Sequence, residues 1–199
     1  MTAEEWELIC EAKTRGFISG TEKDGKVYFN PNQPVNRAEA AKIITGGILK
    51  SLGKMRDEQF QSMEEELLKL FQKQSWIVFS DIRFEKGGVL PWYAVFVALA
   101  QRDGIISGYP DGTFQPSNKI TTLEAYKMIV EAAGMGSKDI AAVLIKKAKE
   151  TRRGEWYEKY LEVLTHFQLP YSSDPKEFVS RKDFVIIALR LLKAGPPKL

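Results

Sequence analysis

Gly104-Ile105-Ile106-Ser107-Gly108-Tyr109-Pro110-Asp111-Gly112-Thr113-Phe114-Gln115-Pro116, continuing to Ile120-Thr121-Thr122-Leu123-Glu124-Ala125, is the stretch that decides the fold of this 199-residue chain. It reads as a helix stop, a turn and a helix start in close succession. Upstream, Trp92, Val95, Phe96, Leu99 and Ala100 fall at the spacing of an amphipathic helix, and Gly104 ends it. Pro110-Asp111-Gly112 is a turn with a mechanism, because proline presets one φ and glycine accepts a positive one. Thr121-x-x-Glu124 is a capping box, and Ala125, Met128, Ile129 and Ala132 supply the apolar face of a second helix before Gly134.

The same passage occurs earlier. Phe29-Asn30-Pro31, Val35-Asn36-Arg37-Ala38-Glu39-Ala40 and Lys42-Ile43-Ile44 align with Phe114-Gln115-Pro116, Ile120 to Ala125 and Lys127-Met128-Ile129 at one offset. Gly16-Phe17-Ile18-Ser19-Gly20 pairs with Gly104 to Gly108, and the small change of offset between the two blocks places a loop insertion within Thr21 to Tyr28. A weaker third copy runs through Phe178-Val179-Ser180-Arg181-Lys182-Asp183 and Phe184-Val185-Ile186-Ile187. Trp6, Trp92 and Trp156 each open the first helix of a copy in this reading. Internal repetition of this kind predicts stacked supersecondary units with one shared core.

Two further segments lie between the copies. Arg56 to Lys73 carries Phe60, Met63, Leu67, Leu70 and Phe71 at helical spacing, beside the solvated run Glu64-Glu65-Glu66. Lys138 to Lys149 predicts a shorter helix through Ile140, Val143, Leu144 and Ala148. The expected division is module 1 at 1–55, a linker helix at 56–78, module 2 at 79–136, a linker helix at 137–154 and module 3 at 155–199, all in one compact domain.

Composition sets limits on function. Hydrophobic residues make up 44% and charged residues 28%, enough for a real core. The net charge of +3 is too small for a nucleic-acid surface, and fits an acidic or a neutral polymer. No stretch has the roughly 18 apolar residues of a membrane span. The chain enters helical sequence at Met1-Thr2-Ala3-Glu4-Glu5-Trp6 with no leader pattern, which predicts a mature or cut-down chain if the protein acts outside the cell. The lone Cys10, beside Leu8, Ile9 and Ala12, reads as a buried inert thiol. Cys10 and His166 have no third orienting group, so no nucleophile–base set is assembled, and no metal-ligand spacing or phosphate loop appears. The loop at Asp111 has neither the alternating oxygens nor the distal glutamate of a calcium site, and Asp111 reads as a turn former.

The helix starts hold the one chemical anomaly. Asn36-x-x-Glu39 and Ser180-x-x-Asp183 repeat the cap, but Arg37 and Arg181 put cations at the first helical position, where the dipole disfavours them by about 0.3–1 kcal/mol. A stray surface arginine explains one copy. Two copies predict an anion site, which the positive helix end and its free N–H groups would reinforce.

Taken together, Phe79-Ser80-Asp81, Trp92, the loop Gly108 to Pro116 and the helix start at Thr121 resemble the S-layer homology module, with its aromatic-x-Asp opening, tryptophan helix, Gly-Tyr-Pro-Asp-Gly-Thr-Phe-x-Pro loop and Thr-Arg-Ala-Glu helix start. The resemblance covers essentially the whole chain if the linker helices count as insertions. It implies a mainly α fold of three helix–loop–helix repeats around a pseudo-threefold axis, with extra linker helices. It implies a non-catalytic cell-surface anchoring module without cofactor or metal, located at the cell wall. Its partner would be an acidic secondary cell-wall polysaccharide bearing a pyruvate ketal, bound in grooves between modules. Carried over by position, the site residues are Arg37, Arg181, Asp81, Trp92 and Gly108. The arginine would pair the ketal carboxylate, glycine would leave room for the sugar and an aromatic ring would cover it. Each tryptophan reads equally as a core anchor.

The departures bear on function. Copy two has Thr122 in place of the arginine, copy three has Leu169-Pro170-Tyr171-Ser172-Ser173-Asp174-Pro175 in place of the loop, and copy one lacks the opening motif. A working groove must therefore combine parts of two copies. The losses also support an alternative, a structural or assembly module that binds another surface-layer protein and has lost its sugar.

Overall fold

In the computed structural model, which describes residues 1–70, 76–150 and 154–194, the start of the first helix is set by its cap. Helix α1 (Ala3–Thr14) starts at Thr2, whose hydroxyl accepts the Glu5 N–H while the Glu5 carboxylate accepts the Thr2 N–H at 2.7 Å. The loop insertion that follows is a hairpin, β1 (Thr21–Lys23) against β2 (Lys26–Tyr28), turning at Asp24-Gly25 with φ of 52° and 70°. Asp-Gly suits such a turn because both residues tolerate positive φ. Helix α2 (Arg37–Lys42) runs on as a wider π-helical stretch, Ile43–Leu49, carrying Gly46 and Gly47. A Cβ on Gly47 would lie 2.7 Å from the Phe17 ring, so glycine lets that ring pack on the helix backbone.

The linker helix α3 (Asp57–Leu70) occupies the predicted segment, whose last predicted residues, 71–73, lie outside the described ones. A short ribbon, β3 (Trp76–Ile77) with β4 (Phe79–Arg83), carries the Phe79-Ser80-Asp81 motif. Then come α4 (Ala94–Arg102), α5 (Thr122–Gly134), α6 (Lys138–Glu150), α7 (Glu158–His166) and α8 (Arg181–Lys193). The protein is mainly helical, as the sequence predicts. The caps at Asn36 and Thr121 are complete capping boxes. The third is not: Ser180 accepts the Asp183 N–H, but the shorter aspartate reaches only the Ser180 hydroxyl.

Three short segments just before α2, α5 and α8 join in a closed ring. Val35 N–H donates to Val179 O at 3.1 Å, Val179 N–H to Ile120 O at 3.3 Å and Ile120 N–H to Val35 O at 3.0 Å. A second cyclic set of bonds lies two residues along the chain, with Arg37 N–H on Asn118 O (2.9 Å), Thr122 N–H on Glu177 O (2.7 Å) and Arg181 N–H on Gln33 O (2.8 Å). All three central residues are buried, which makes these bonds stronger than exposed ones and their loss costly. Below the rings, α5 and α8 pack on each other and on the π-helical stretch. The first helices pack onto the second helix of a different unit: α4 on α2, α7 on α5, and α1 on α8. The chain thus closes on itself, its first helix against its last.

Two expectations are corrected here. Cys10 is exposed, because Leu8, Ile9 and Ala12 form the buried face of α1 and the thiol points the other way. The tryptophans are not core anchors at helix starts. Trp92 and Trp156 sit in turns before α4 and α7, whereas Trp6 lies inside α1. Measured from the left-handed residues that end the three helices (Gly16, Gly104 and Gln168), Trp92 and Trp156 are equivalent and Trp6 is two positions out of step.

Candidate functional site

Asp81 acts on the loop from below. Its Oδ1 accepts the Phe114 N–H and its Oδ2 the Gln115 N–H, both at 2.7 Å. Gln115 is held at φ +56°, a conformation that costs a non-glycine residue about 1–2 kcal/mol, so two charge-assisted bonds offset local strain. Both oxygens being committed, Asp81 positions the loop. The turn itself is tied by Tyr109 N–H to Thr113 O at 2.8 Å and by Asp111 Oδ1, which accepts from the Thr113 N–H and hydroxyl. The Thr113 hydroxyl and N–H hold the Asp111 carboxyl below its ordinary value. Gly108 is required for packing: a Cβ there would lie 2.4 Å from the Phe79 ring and 2.7 Å from Thr113 O.

Arg37 reaches out of its own unit into this loop. It is only 8% exposed. Its Nε donates to Phe114 O at 2.6 Å, Nη2 to Ser107 O at 3.1 Å, and Nη1 lies 3.4 Å from Glu124 Oε1. The guanidinium carbon lies over both the Tyr109 and the Phe114 rings, 4.7 Å from each centroid. Arg181 repeats the arrangement one unit round, donating to Phe29 O at 3.3 Å and pairing with Glu39. This explains the cation at the helix start, since each arginine bonds acceptors on a neighbouring unit. The capping glutamates hold both ends: Glu124 Oε2 accepts the Thr121 N–H at 2.8 Å while Oε1 faces Arg37.

The expectation of free N–H groups at these helix starts is overturned. In α2, Arg37 and Ala38 N–H bond Asn118 O and Pro116 O, and Glu39 N–H bonds Asn36 Oδ1. In α8, Arg181 and Lys182 N–H bond Gln33 O and Pro31 O, and Asp183 N–H bonds Ser180 Oγ. The inter-unit rings consume the donors that an anion would need.

Above the arginines open two cavities of the same build, each about 200 Å³. Groove A combines Arg181 from unit three, Ser19, Gly20, Glu39 and Lys42 from unit one, and Trp92 from unit two. Groove B combines Arg37 from unit one, Ser107, Gly108, Glu124 and Lys127 from unit two, and Trp156 from unit three. Three units contribute to each, where the sequence suggested two. The tryptophans stand 56% and 51% exposed, an unusual state for so large an apolar side chain unless it serves a surface. Of the residues expected from sequence, Arg181 and Trp92 meet in groove A, Arg37 and Gly108 meet in groove B, and Asp81 lines neither.

Sequence reasoning missed Lys42, Lys127, Trp156, Glu39 and Glu124 as groove residues. Lys42 and Lys127 already stood at equivalent places in the repeat alignment, but alignment does not say which units meet. The third junction differs. Thr122 replaces the arginine and bonds Glu177 O at 3.1 Å, while Tyr126, one turn further on, accepts the Ser172 N–H at 2.9 Å and ties the third loop in its place.

An S-layer homology domain profile matches residues 2–41 and 87–125. Two stretches of the chain thus match the S-layer homology domain. The matched stretches run from α1 into α2 and from just before Trp92 into α5, so each takes in a groove loop and its cap. Cell surface glycoprotein 1 of Acetivibrio thermocellus is 29% identical over 94% of this chain, and the cellulosome-anchoring protein of the same organism is 27% identical over 84%. The surface-layer 125 kDa protein of Lysinibacillus sphaericus is 24% identical over 94%. The chain spans 8%, 34% and 14% of the length of these relatives respectively. Among the described residues no helix is long and apolar enough to cross a membrane.

Proposed function

We propose that this S-layer homology chain is a non-catalytic anchoring module of the cell surface, in which grooves A and B bind an acidic cell-wall polysaccharide of the pyruvate-ketal type. The three units would stand around a pseudo-threefold axis, a reading supported by the two hydrogen-bond rings. The observation that carries the proposal is the recurrence of one set of groups in two cavities: an exposed indole to cover a sugar face, a loop glycine, and an arginine and a lysine beside a glutamate. Relatives named for the cell surface and for anchoring support the location and the role.

Cell-wall sacculi with and without their attached polysaccharide test it. The protein and its Trp92→Ala/Trp156→Ala double variant are mixed with each, and pelleted protein is measured. Both tryptophans lie outside the core, so the variant keeps its fold. Retention is expected on polymer-bearing sacculi alone, and to fall at least tenfold in the variant. Retention indifferent to both the polymer and the tryptophans refutes the proposal. It would favour the second reading, an assembly module for another surface protein, which the loss of the arginine at the third junction supports.

A further inference from the structure

We infer that Lys42 in groove A and Lys127 in groove B are the groups that read the ligand's negative charge, each accepting one carboxylate, and that the third junction is blind to anions. This rests on the proposal that the grooves are polysaccharide sites, and assigns the charge recognition within them.

In groove B the Arg37 guanidinium is matched by the Glu124 carboxylate, and its Nε, Nη1 and Nη2 are all engaged by protein acceptors. In groove A, Arg181 is matched in the same way by Glu39. Arginine and glutamate thus cancel, and the net positive charge of each groove belongs to the lysine three residues further along the same helix face. Lys42 is half-buried; its Nζ is 3.2 Å from Ser19 Oγ and 5.8 Å from the Trp92 ring centroid. It has no carboxylate partner among the described residues. Lys127, also half-buried, has neither an ion pair nor a hydrogen bond among them. A half-buried lysine that lines a cavity and has no counter-ion among the described residues leaves that cavity with a net positive potential, which favours an anion. One unmatched positive charge suits one carboxylate per sugar.

The third junction gives the internal contrast. Asp183 stands at the glutamate's position, but Thr122 replaces the arginine and Ile186 stands where Lys42 and Lys127 stand. Lys182 is already paired with Glu5 at 3.2 Å and lies 3.7 Å from Asp183. Among the described residues, the position that holds the lysine in grooves A and B therefore carries no cation at this junction.

Titration calorimetry with two probes decides the matter: an N-acetylhexosamine methyl glycoside carrying a 4,6-pyruvate ketal, and the same glycoside without it. Wild type is expected to bind the ketal sugar at two sites. Lys42→Met and Lys127→Met should each remove one site, and the double variant should lose roughly ten- to a hundredfold in affinity for the ketal sugar, the scale of a bond to a charged group. Its weaker affinity for the neutral glycoside should not change. Methionine keeps the aliphatic stem, and a thermal melt confirms the fold; Lys→Arg at both positions should restore binding of the ketal sugar. If the double variant binds the ketal sugar as wild type does, the lysines do not read the charge and the inference is overturned. If wild type binds neither glycoside, the polysaccharide reading falls, and this inference with it.

Discussion

Replacing Arg37 with alanine should unlatch unit one from the loop of unit two. The side chain is 8% exposed, donates to two carbonyls at 2.6 and 3.1 Å, approaches Glu124 at 3.4 Å and lies over two aromatic rings. A bond from a charged donor contributes about 1.5–3 kcal/mol taken singly, and a cation–π contact about 0.5–2 kcal/mol. These do not add, since one truncation removes them all. Breaking a buried ionic network costs about 3–5 kcal/mol. The Glu124 contact is long and Glu124 keeps its bonds to Thr121, so the lower end applies, about 3 kcal/mol. For a chain of this length that lowers the melting temperature by roughly 6–12 °C. Arg181→Ala, with one weaker carbonyl bond and a close Glu39 pair but neither a second carbonyl bond nor a ring contact among the described residues, should cost about 1.5–3 kcal/mol. Arg37→Lys should rescue little, because a point charge does not reproduce a planar fork over two rings. Urea melts followed by far-ultraviolet circular dichroism measure all three. The reasoning fails if Arg37→Ala stays within about 0.5 kcal/mol of wild type, the range of an ordinary surface change, or costs no more than Arg181→Ala.

Two further outcomes are expected. Gly108→Ala forces a methyl against Phe79 and Thr113 O and should cost about 1–3 kcal/mol by overpacking, whereas Gly112→Ala, with open space but φ of +78°, should cost about 1 kcal/mol from backbone strain alone; the same melts rank them, and the reverse order would refute the packing argument. The seam between α1 and α8 should weaken in acid. Lys193 holds the Glu11 carboxyl below its ordinary value, and the Thr2 N–H with Lys182 does the same for Glu5. A carboxyl depressed in the folded state contributes stability present above its unfolded value and lost as pH falls through its folded one. The melting temperature should therefore drop below the normal carboxylate range, and Glu11→Gln should flatten part of that drop.

Much of the local structure was legible in order. The stops at Gly16 and Gly104, the boxes at Thr121 and Asn36 and the apolar faces of α4 and α5 depend on residues a few positions apart, and short-range sterics and hydrogen bonding decide them. The repeat itself carried the family resemblance. Cys10 was misread because its apolar neighbours were taken as its surroundings, although a residue two positions from Leu8 faces another side of the helix.

The site was legible only in its parts. Arg37 read as an anomaly because its partners, Ser107, Phe114 and Glu124, are seventy or more residues away. The first two N–H groups of α2 and of α8 read as free because nothing local takes them; Asn118, Pro116, Gln33 and Pro31 do. So the sequence alone determined the helix–loop–helix unit and its complete capping boxes at Asn36 and Thr121, through contacts within one helical turn. Only the tertiary structure decided that α4 packs on α2 and α7 on α5, that each groove draws on three units, and that arginine and glutamate cancel to leave a lysine as the net charge. Those outcomes rest on pairings between distant segments, and closure of the hydrogen-bonded ring sets which segments meet.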